Sequence, residues 1–251
     1  MTYDFVAVGD VMLDIRIAEG PGEATLHAPI TVVSGGSAVN AARAARRLGA
    51  RTAVVGGVGS DAAGTAVAHA LRAEGIDALL ETGLAATGTV AYVGGGVVAD
   101  RGANAGWRPD GLPDARVTLV SGYLDPEAVA AALQQAHGLR AVDLQRPGTR
   151  VLDADVVLGP GIALEEFAGA HRVVCSTLGA RGAVAVADGN RVEVAPSHVV
   201  AGNPRGAGDA FAAGFLLALA DGHQLRECVE RGCRLAEDAI GERHQRDARR
   251  Q

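Results

Sequence analysis

The chain has 251 residues, 48% of them apolar and only 3% aromatic, and a formal charge of -6. That length suits one α/β domain packed mainly by Ala, Val, Leu and Gly, and the acidic balance, with no basic stripe before the terminal Arg243, Arg246, Arg249 and Arg250, excludes broad phosphate neutralisation on nucleic acid. Cys175, Cys228 and Cys233 are too scattered for a disulfide framework or a metal site, and the longest apolar stretch, Ala210 to Ala220, is too short to span a bilayer, so a cytoplasmic protein with no membrane partner is expected.

In chain order, short Val/Ala/Leu runs alternate with longer Ala-rich stretches, the pattern of βαβ units around a mostly parallel sheet. Strands are expected at Phe5 to Val8, Thr52 to Val55, Val117 to Ser121, Ala141 to Leu144, Val156 to Leu158, Val173 to Ser176 and Ala183 to Ala187. Helices are expected at Ala38 to Leu48, Ala62 to Glu74, Pro126 to His137, Asp209 to Ala220 and Leu225 to Ala239. Two stretches, Ile15 to Val33 and Thr87 to Trp107, break the rhythm as extended segments with no helix between them and suit a small β flap beside the main sheet. Residues 1–251 read as a single domain with lid segments at about 15–33 and 87–107.

Three sites carry chemistry. Gly206-Ala207-Gly208-Asp209 leads straight into an apolar helix, and a glycine-rich turn at a helix N-terminus offers backbone donors and a favourable dipole to a phosphate. Taken alone, the same residues also read as a turn shaped by Gly206 and Gly208 with Asp209 as the helix N-cap. A second glycine cluster, Ser34-Gly35-Gly36-Ser37, opens another helix with Asn40 one turn in, and Asp14 follows the first strand through Gly9-Asp10-Val-Met-Leu.

These elements resemble the PfkB, or ribokinase-like, family of carbohydrate kinases. Gly35-Gly36, Asn40 and Leu48-Gly49 look like its N-terminal signature, and Gly206 to Asp209 with Phe211, Gly214 and Phe215 like its C-terminal one. Between them, Gly57 to Gly64 and Thr177-Leu-Gly179-Ala-Arg-Gly182 keep the same order, so the likeness runs along nearly the whole chain. The resemblance implies a Rossmann-like ribokinase fold with a small β lid, ATP as phosphoryl donor and Mg²⁺ as helper. It implies Asp209 as the base, Gly206, Ala207 and Gly208 as the anion hole, and Asp14, Gly35, Gly36 and Asn40 around a sugar or nucleoside. Thr177, Gly179, Gly182 and Arg205 fall on the nucleotide side, and a homodimer through the lid follows from several relatives.

Departures from the family are specific. Where it carries Asn-x-x-Glu, this chain has Pro160 and Ala163, neither able to hold a cation through a side chain, with Glu165 and Glu166 one turn on. Arg205 stands where Thr is common. These gaps sustain an alternative, a catalytically degenerate sugar- or nucleotide-binding protein on the same fold. A more remote alternative is an NAD-dependent oxidoreductase, because Gly57-Val-Gly59-Ser-Asp-Ala62 fits G-x-G-x-x-A with Glu81 some two dozen residues on. If the acceptor is phosphorylated, Arg43, Arg101 and Arg108 are candidates to receive it.

Overall fold

The computed structural model describes residues 2–17, 27–93, 95–145, 153–167, 169–198, 200 and 202–248, with side chains described to residue 242. The elements in chain order are β1 (Tyr3–Val8), β2 (Met12–Ile17), β3 (Ile30–Gly35), α1 (Ser37–Arg47), β4 (Thr52–Gly59), α2 (Ala62–Ala73), β5 (Asp77–Gly83), β6 (Gly88–Val93) and β7 (Gly96–Asp100). After them come β8 (Ala115–Ser121), α3 (Pro126–Gln135), β9 (Leu139–Asp143), β10 (Val156–Pro160), α4 (Leu164–Phe167), β11 (Val173–Thr177), β12 (Ala183–Ala187), β13 (Asn190–Val194), α5 (Ala207–Ala220) and α6 (Leu225–Ala248). One-turn 3₁₀ segments lie at Gly102–Asn104 and Gly179–Arg181.

Nine strands form the main sheet in the order β13-β12-β11-β10-β9-β8-β1-β4-β5. Pairing is parallel from β11 through β5, and β12 and β13 continue the edge as an antiparallel meander. Strands buried on both faces must be apolar on both, which explains continuous runs such as Phe5-Val-Ala-Val8 with no exposed surface. On one face, Phe5, Val54 and Val117 pack with Val39 of α1, Leu71 of α2, Phe215 of α5 and Val229 of α6. On the other, Val6, Val120 and Val157 pack with Leu133 of α3 and Phe167 of α4. Helices on both faces of a parallel sheet make the doubly wound α/β architecture expected from the alternating runs.

The two stretches expected to be extended supply the four strands of a second sheet, ordered β3-β2-β6-β7. It is mixed: β2 pairs antiparallel with β3 and parallel with β6, and β6 pairs antiparallel with β7. Register sets its two faces. Asp14, Arg16, Val33, Thr31, Val90 and Tyr92 share one, whereas Ile15, Ile17, Val32, Ile30, Ala91 and Val98 share the other. Asp61 ties this sheet to the domain, since its carboxylate caps α2 by accepting from Gly64 N at 2.8 Å and also accepts from Thr87 N and Oγ1 at 2.8 and 2.6 Å. Those hydrogen bonds, led by the Thr87 hydroxyl, hold its carboxyl down at about 2.

Two strands escaped the expected list, β5 and β13, and α6 runs beyond Ala239. β4 continues past Val55 to Gly59, which places Gly57 and Gly59 inside a strand instead of in a phosphate-binding turn. A Cβ at Gly57 would meet Trp107 at 2.9 Å and one at Gly59 would meet Ala85 O at 2.6 Å. These glycines admit neighbouring chain, so the dinucleotide fingerprint lacks its loop. Glu81, its expected ribose partner, instead accepts from Trp107 Nε1 at 3.0 Å.

Candidate active site

Strand order reverses direction of travel between β1 and β8, and in open α/β sheets the carboxyl ends of strands flanking such a point form a crevice. The candidate residues gather there. Gly9 and Asp10 follow β1, Ser121 ends β8, Asp143 ends β9, and the N-termini of α1 and α5 point to the same place. Ser37, first in α1, donates from its hydroxyl to Ser121 Oγ at 2.7 Å, closing the floor.

The first glycine cluster is demanded by close approach. Gly36 takes φ 96° in the left-handed region, and a Cβ on it would lie 2.1 Å from Asp10 O. On Gly35 a Cβ would lie 2.3 Å from Asp14 Oδ1, so the Asp14 carboxylate rests directly on that glycine. Asp14 is buried and paired with Arg16 Nη2 at 3.2 Å. Asp10 is structural: burial raises its carboxyl above the usual range against the opposing pull of Arg101 at 3.2 Å.

Asn40 and Asp209, 169 residues apart in sequence, meet across the crevice, with Asn40 Nδ2 donating to Asp209 Oδ2 at 3.1 Å. Asn40 projects from the first turn of α1 and Asp209 from the first turn of α5, whose preceding Gly206 turns the chain with φ 70°. Within that turn the Ala207 N–H donates to Pro204 O at 3.0 Å. An acidic residue absent from the sequence-based candidates joins them: Asp143 borders the same small void as Ser37, Ser121 and Asp209. Burial, and next the like charge of Asp209, push its carboxyl well above the usual range, opposed by Gln145 Nε2 donating at 2.8 Å. The available signal was a carboxylate ending an otherwise buried strand of a parallel sheet.

Beyond Asp143 opens a cleft of about 430 Å³. Thr177, Gly179 and Gly182 line one wall, Ala207 and Gly208 another, with Pro160 and Gln145 between. Three of the four residues expected on the nucleotide side, Thr177, Gly179 and Gly182, thus share one cavity with Ala207 and Gly208 of the glycine turn. Its far rim is fixed by Glu237 of α6, also unanticipated: this buried carboxylate accepts from Ser197 N at 2.7 Å and from the Ser197 hydroxyl, with His198 Nδ1 at 3.5 Å.

A family model described as pfkB family carbohydrate kinase matches residues 3–150 and 162–248. The chain belongs to that family. Among solved structures it is similar to a ribokinase from Arabidopsis thaliana complexed with ribose and ATP, at 19% identity and TM-score 0.77, covering 96% of this chain and 93% of that one. It is similar also to an adenosine kinase from Sinorhizobium meliloti, at 24% identity and TM-score 0.80 over 96% and 94% of the two chains. A ribokinase from Thermotoga maritima matches at 19% identity and TM-score 0.80 over 95% and 93%. At these identities the likeness establishes the ribokinase-like fold.

Pro160 lies at the end of β10 on the cleft wall, while Ala163 precedes the single turn α4 and Glu165 and Glu166 are exposed on it. Among the described residues no group of three His, Cys, Asp or Glu side chains is arranged to hold a metal. Arg205 stands apart from the nucleotide-side residues. Its guanidinium lies 3.8 Å from the ring centroid of Tyr92 in β6. No described helix is long and apolar enough to cross a membrane.

Proposed function

We propose that this pfkB-family member transfers the γ-phosphoryl group of ATP to a hydroxyl of a small sugar or nucleoside. The observation that carries the reading is the Asn40 to Asp209 contact, with Asp209 beside the same small void as Asp143, which lines the cleft together with Thr177, Gly179, Gly182 and Gly208. Phosphoryl transfer asks a protein for positioning and charge stabilisation more than for covalent chemistry.

Asp209 accepts the proton of the acceptor hydroxyl as its oxygen bonds to the γ-phosphorus and the bond from phosphorus to the β–γ bridging oxygen breaks, the electron pair leaving with ADP. Asn40 orients the Asp209 carboxylate. The Gly206 to Gly208 backbone at the head of α5 receives the charge of the transferring group. Asp14, seated on Gly35, and the Gly35-Gly36 turn hold acceptor hydroxyls.

Mg²⁺ needs only one or two protein carboxylates beside phosphates and its own waters. Asp143 and Gln145 supply oxygen atoms on the cleft, and the disfavoured negative charge of Asp143 is one that a cation relieves. These residues fit the ion without the Asn-x-x-Glu element, and when bound it would neutralise phosphate charge. The described residues 15–17, 27–33, 87–93 and 95–107 act as the lid, with residues 1–251 as one domain, and the outward row of Ile30, Val32 and Val98, all more than half exposed, favours a homodimer through that sheet. Three buried, free cysteines suit the reducing cytoplasm.

ADP release from Mg-ATP across sugars, sugar acids and nucleosides tests the reading. Turnover is expected with at least one acceptor, falling about 10²–10⁴-fold in Asp209→Asn. A second reading, a degenerate binding protein, is favoured by Pro160 and Ala163. It predicts ATP or sugar binding with no turnover, and phosphorylation lost in Asp209→Asn eliminates it.

A further inference from the structure

The side of the crevice facing the small sheet carries an arrangement that hydroxyl recognition leaves unexplained. Tyr92 and Arg16 are register partners on adjacent strands β6 and β2, on the same face as Asp14. Arg205, immediately before the glycine turn, crosses from the main domain and lays its guanidinium over the Tyr92 ring at 3.8 Å, while the Arg16 guanidinium lies 6.0 Å from the same centroid. Two cations therefore flank one aromatic ring on the acceptor side, within the neighbourhood of Asp14 and the Asn40 to Asp209 pair.

Their states differ. Arg16 is matched by Asp14 at 3.2 Å. Arg205 makes no ion pair among the described residues, and its backbone N–H, donating to Asn203 Oδ1 at 3.1 Å, fixes the loop from which it projects. Stacking on an aromatic face leaves the in-plane N–H fork of a guanidinium available and restricts its rotation, the geometry that binds carboxylate or phosphate in bidentate fashion. The three arginines expected from sequence to receive an acceptor phosphate are engaged elsewhere. Arg43 is held by Glu74 and Ser34, Arg101 by Asp10 and Asp125, and Arg108 by Glu127.

We infer that the acceptor carries an anionic oxyacid group, a carboxylate or a phosphate ester, received by Arg205 on its Tyr92 platform with Arg16 beside it. This rests on the kinase reading and narrows its substrate class from sugars or nucleosides at large to sugar acids or sugar phosphates. It also moves Arg205 from the nucleotide side, where its sequence position suggested, to the acceptor side.

The test is calorimetric binding to the full chain without nucleotide, using matched sets: ribose, ribonate and ribose 5-phosphate, and glucose, gluconate and glucose 6-phosphate. At least one anionic form is expected to bind about tenfold or more tightly than its neutral parent, with an advantage that shrinks as salt rises. Whether the aldonates or the phosphate esters gain identifies which anion is meant. Arg205→Gln should abolish the preference without altering ATP affinity, and Tyr92→Leu, which keeps the charge but removes its platform, should reduce it part-way. Equal binding of neutral and anionic forms, binding of no member of the sets, or an Arg205→Gln variant that loses ATP while keeping the preference would each overturn the inference. ADP release separates this from the broader reading: turnover of neutral sugars with no anion preference sinks the inference alone, whereas anion-selective binding without turnover sinks only the kinase assignment.

Discussion

Replacing Gly35 by Ala should injure acceptor binding through Asp14 and leave the nucleotide cleft intact. An added Cβ would lie 2.3, 2.5 and 2.6 Å from Oδ1, Cγ and Oδ2 of Asp14, all nearer than unstrained carbon contacts allow. The Asp14 carboxylate must then swing away, breaking its 3.2 Å pair with Arg16. Forcing a methyl into a filled site costs about 1–3 kcal/mol, offset by roughly 0.4–1 kcal/mol from the stiffer unfolded chain, which leaves a net loss of about 1–2 kcal/mol. In an Asp14→Ala background the obstacle is absent, so the same substitution should be neutral or slightly stabilising, a coupling of about 1–3 kcal/mol within the range for residues in contact. Urea unfolding of the four proteins measures that coupling. Steady-state kinetics should show KM for the acceptor raised about tenfold or more through the displaced charged partner, with KM for ATP unchanged. Additive stabilities, or a parallel rise in KM for ATP, would refute the reasoning.

Other consequences follow from the same geometry. Because the folded-state carboxyl of Asp143 is raised by burial and by Asp209, the wild type binds more protons folded than unfolded as pH climbs above the ordinary carboxylate value, and it loses stability as pH rises from there; the melting temperature of Asp143→Asn relative to wild type should therefore increase as pH rises above about 4, and a flat difference would count against it. Asp61 has the opposite sign, with a carboxyl held at about 2, so its contribution is complete above the ordinary value and disappears as pH falls from about 4 toward about 2. Loss of its cap and its Thr87 bonds in Asp61→Ala should cost about 2 kcal/mol near neutrality by urea unfolding, and a cost below half that would show the bonds to be incidental. Glu237→Ala, which releases Ser197 from the cleft rim, should raise KM for ATP several-fold with kcat nearly constant, and Glu237→Gln should recover part of it; a matching fall in kcat would argue instead for a general loss of fold. Val98→Lys, placing a charge on the exposed row of the small sheet, should convert a lid-to-lid dimer to monomer by light scattering, and wild type already monomeric at high concentration would remove the dimer.

The parts of the fold that were legible in the chain are those where one physical demand dominates. A stretch of strand buried on both faces must be apolar throughout, and Phe5 to Val8 of β1, Val156 to Leu158 of β10 and Val173 to Cys175 of β11 meet that condition and were found. The two missed strands are the two edges of the main sheet, β5 and β13. Edges carry charge to discourage pairing with other chains. Asp77, Glu81, Arg191 and Glu193 therefore broke the apolar pattern at the very positions that protect the sheet. Family resemblance supplied the order of the glycine clusters. It was silent on Asp143 and Glu237, single carboxylates whose neighbours Gln145 and Ser197 become informative only once folding brings β9 and α6 to the cleft.

Arg205 illustrates a different limit. Adjacent in sequence to a glycine-rich turn at a helix N-terminus, a cation reads as a phosphate ligand, and backbone position alone supports that assignment. The side chain itself lies against the small sheet, because a guanidinium on a long flexible stem reaches several ångströms from its Cα, and the flat face of Tyr92 offers it a partner that a solvated loop does not. The partner lies on β6, more than a hundred residues earlier, in a strand whose register against β2 fixes which of its faces looks into the crevice. A one-residue slip of that register would send Tyr92 to the apolar outer face and put Ala91 or Val93 beneath Arg205, leaving nothing to hold the cation over the acceptor. The acceptor preference inferred for this protein thus depends on a pairing register within the small sheet as much as on the identity of the arginine itself.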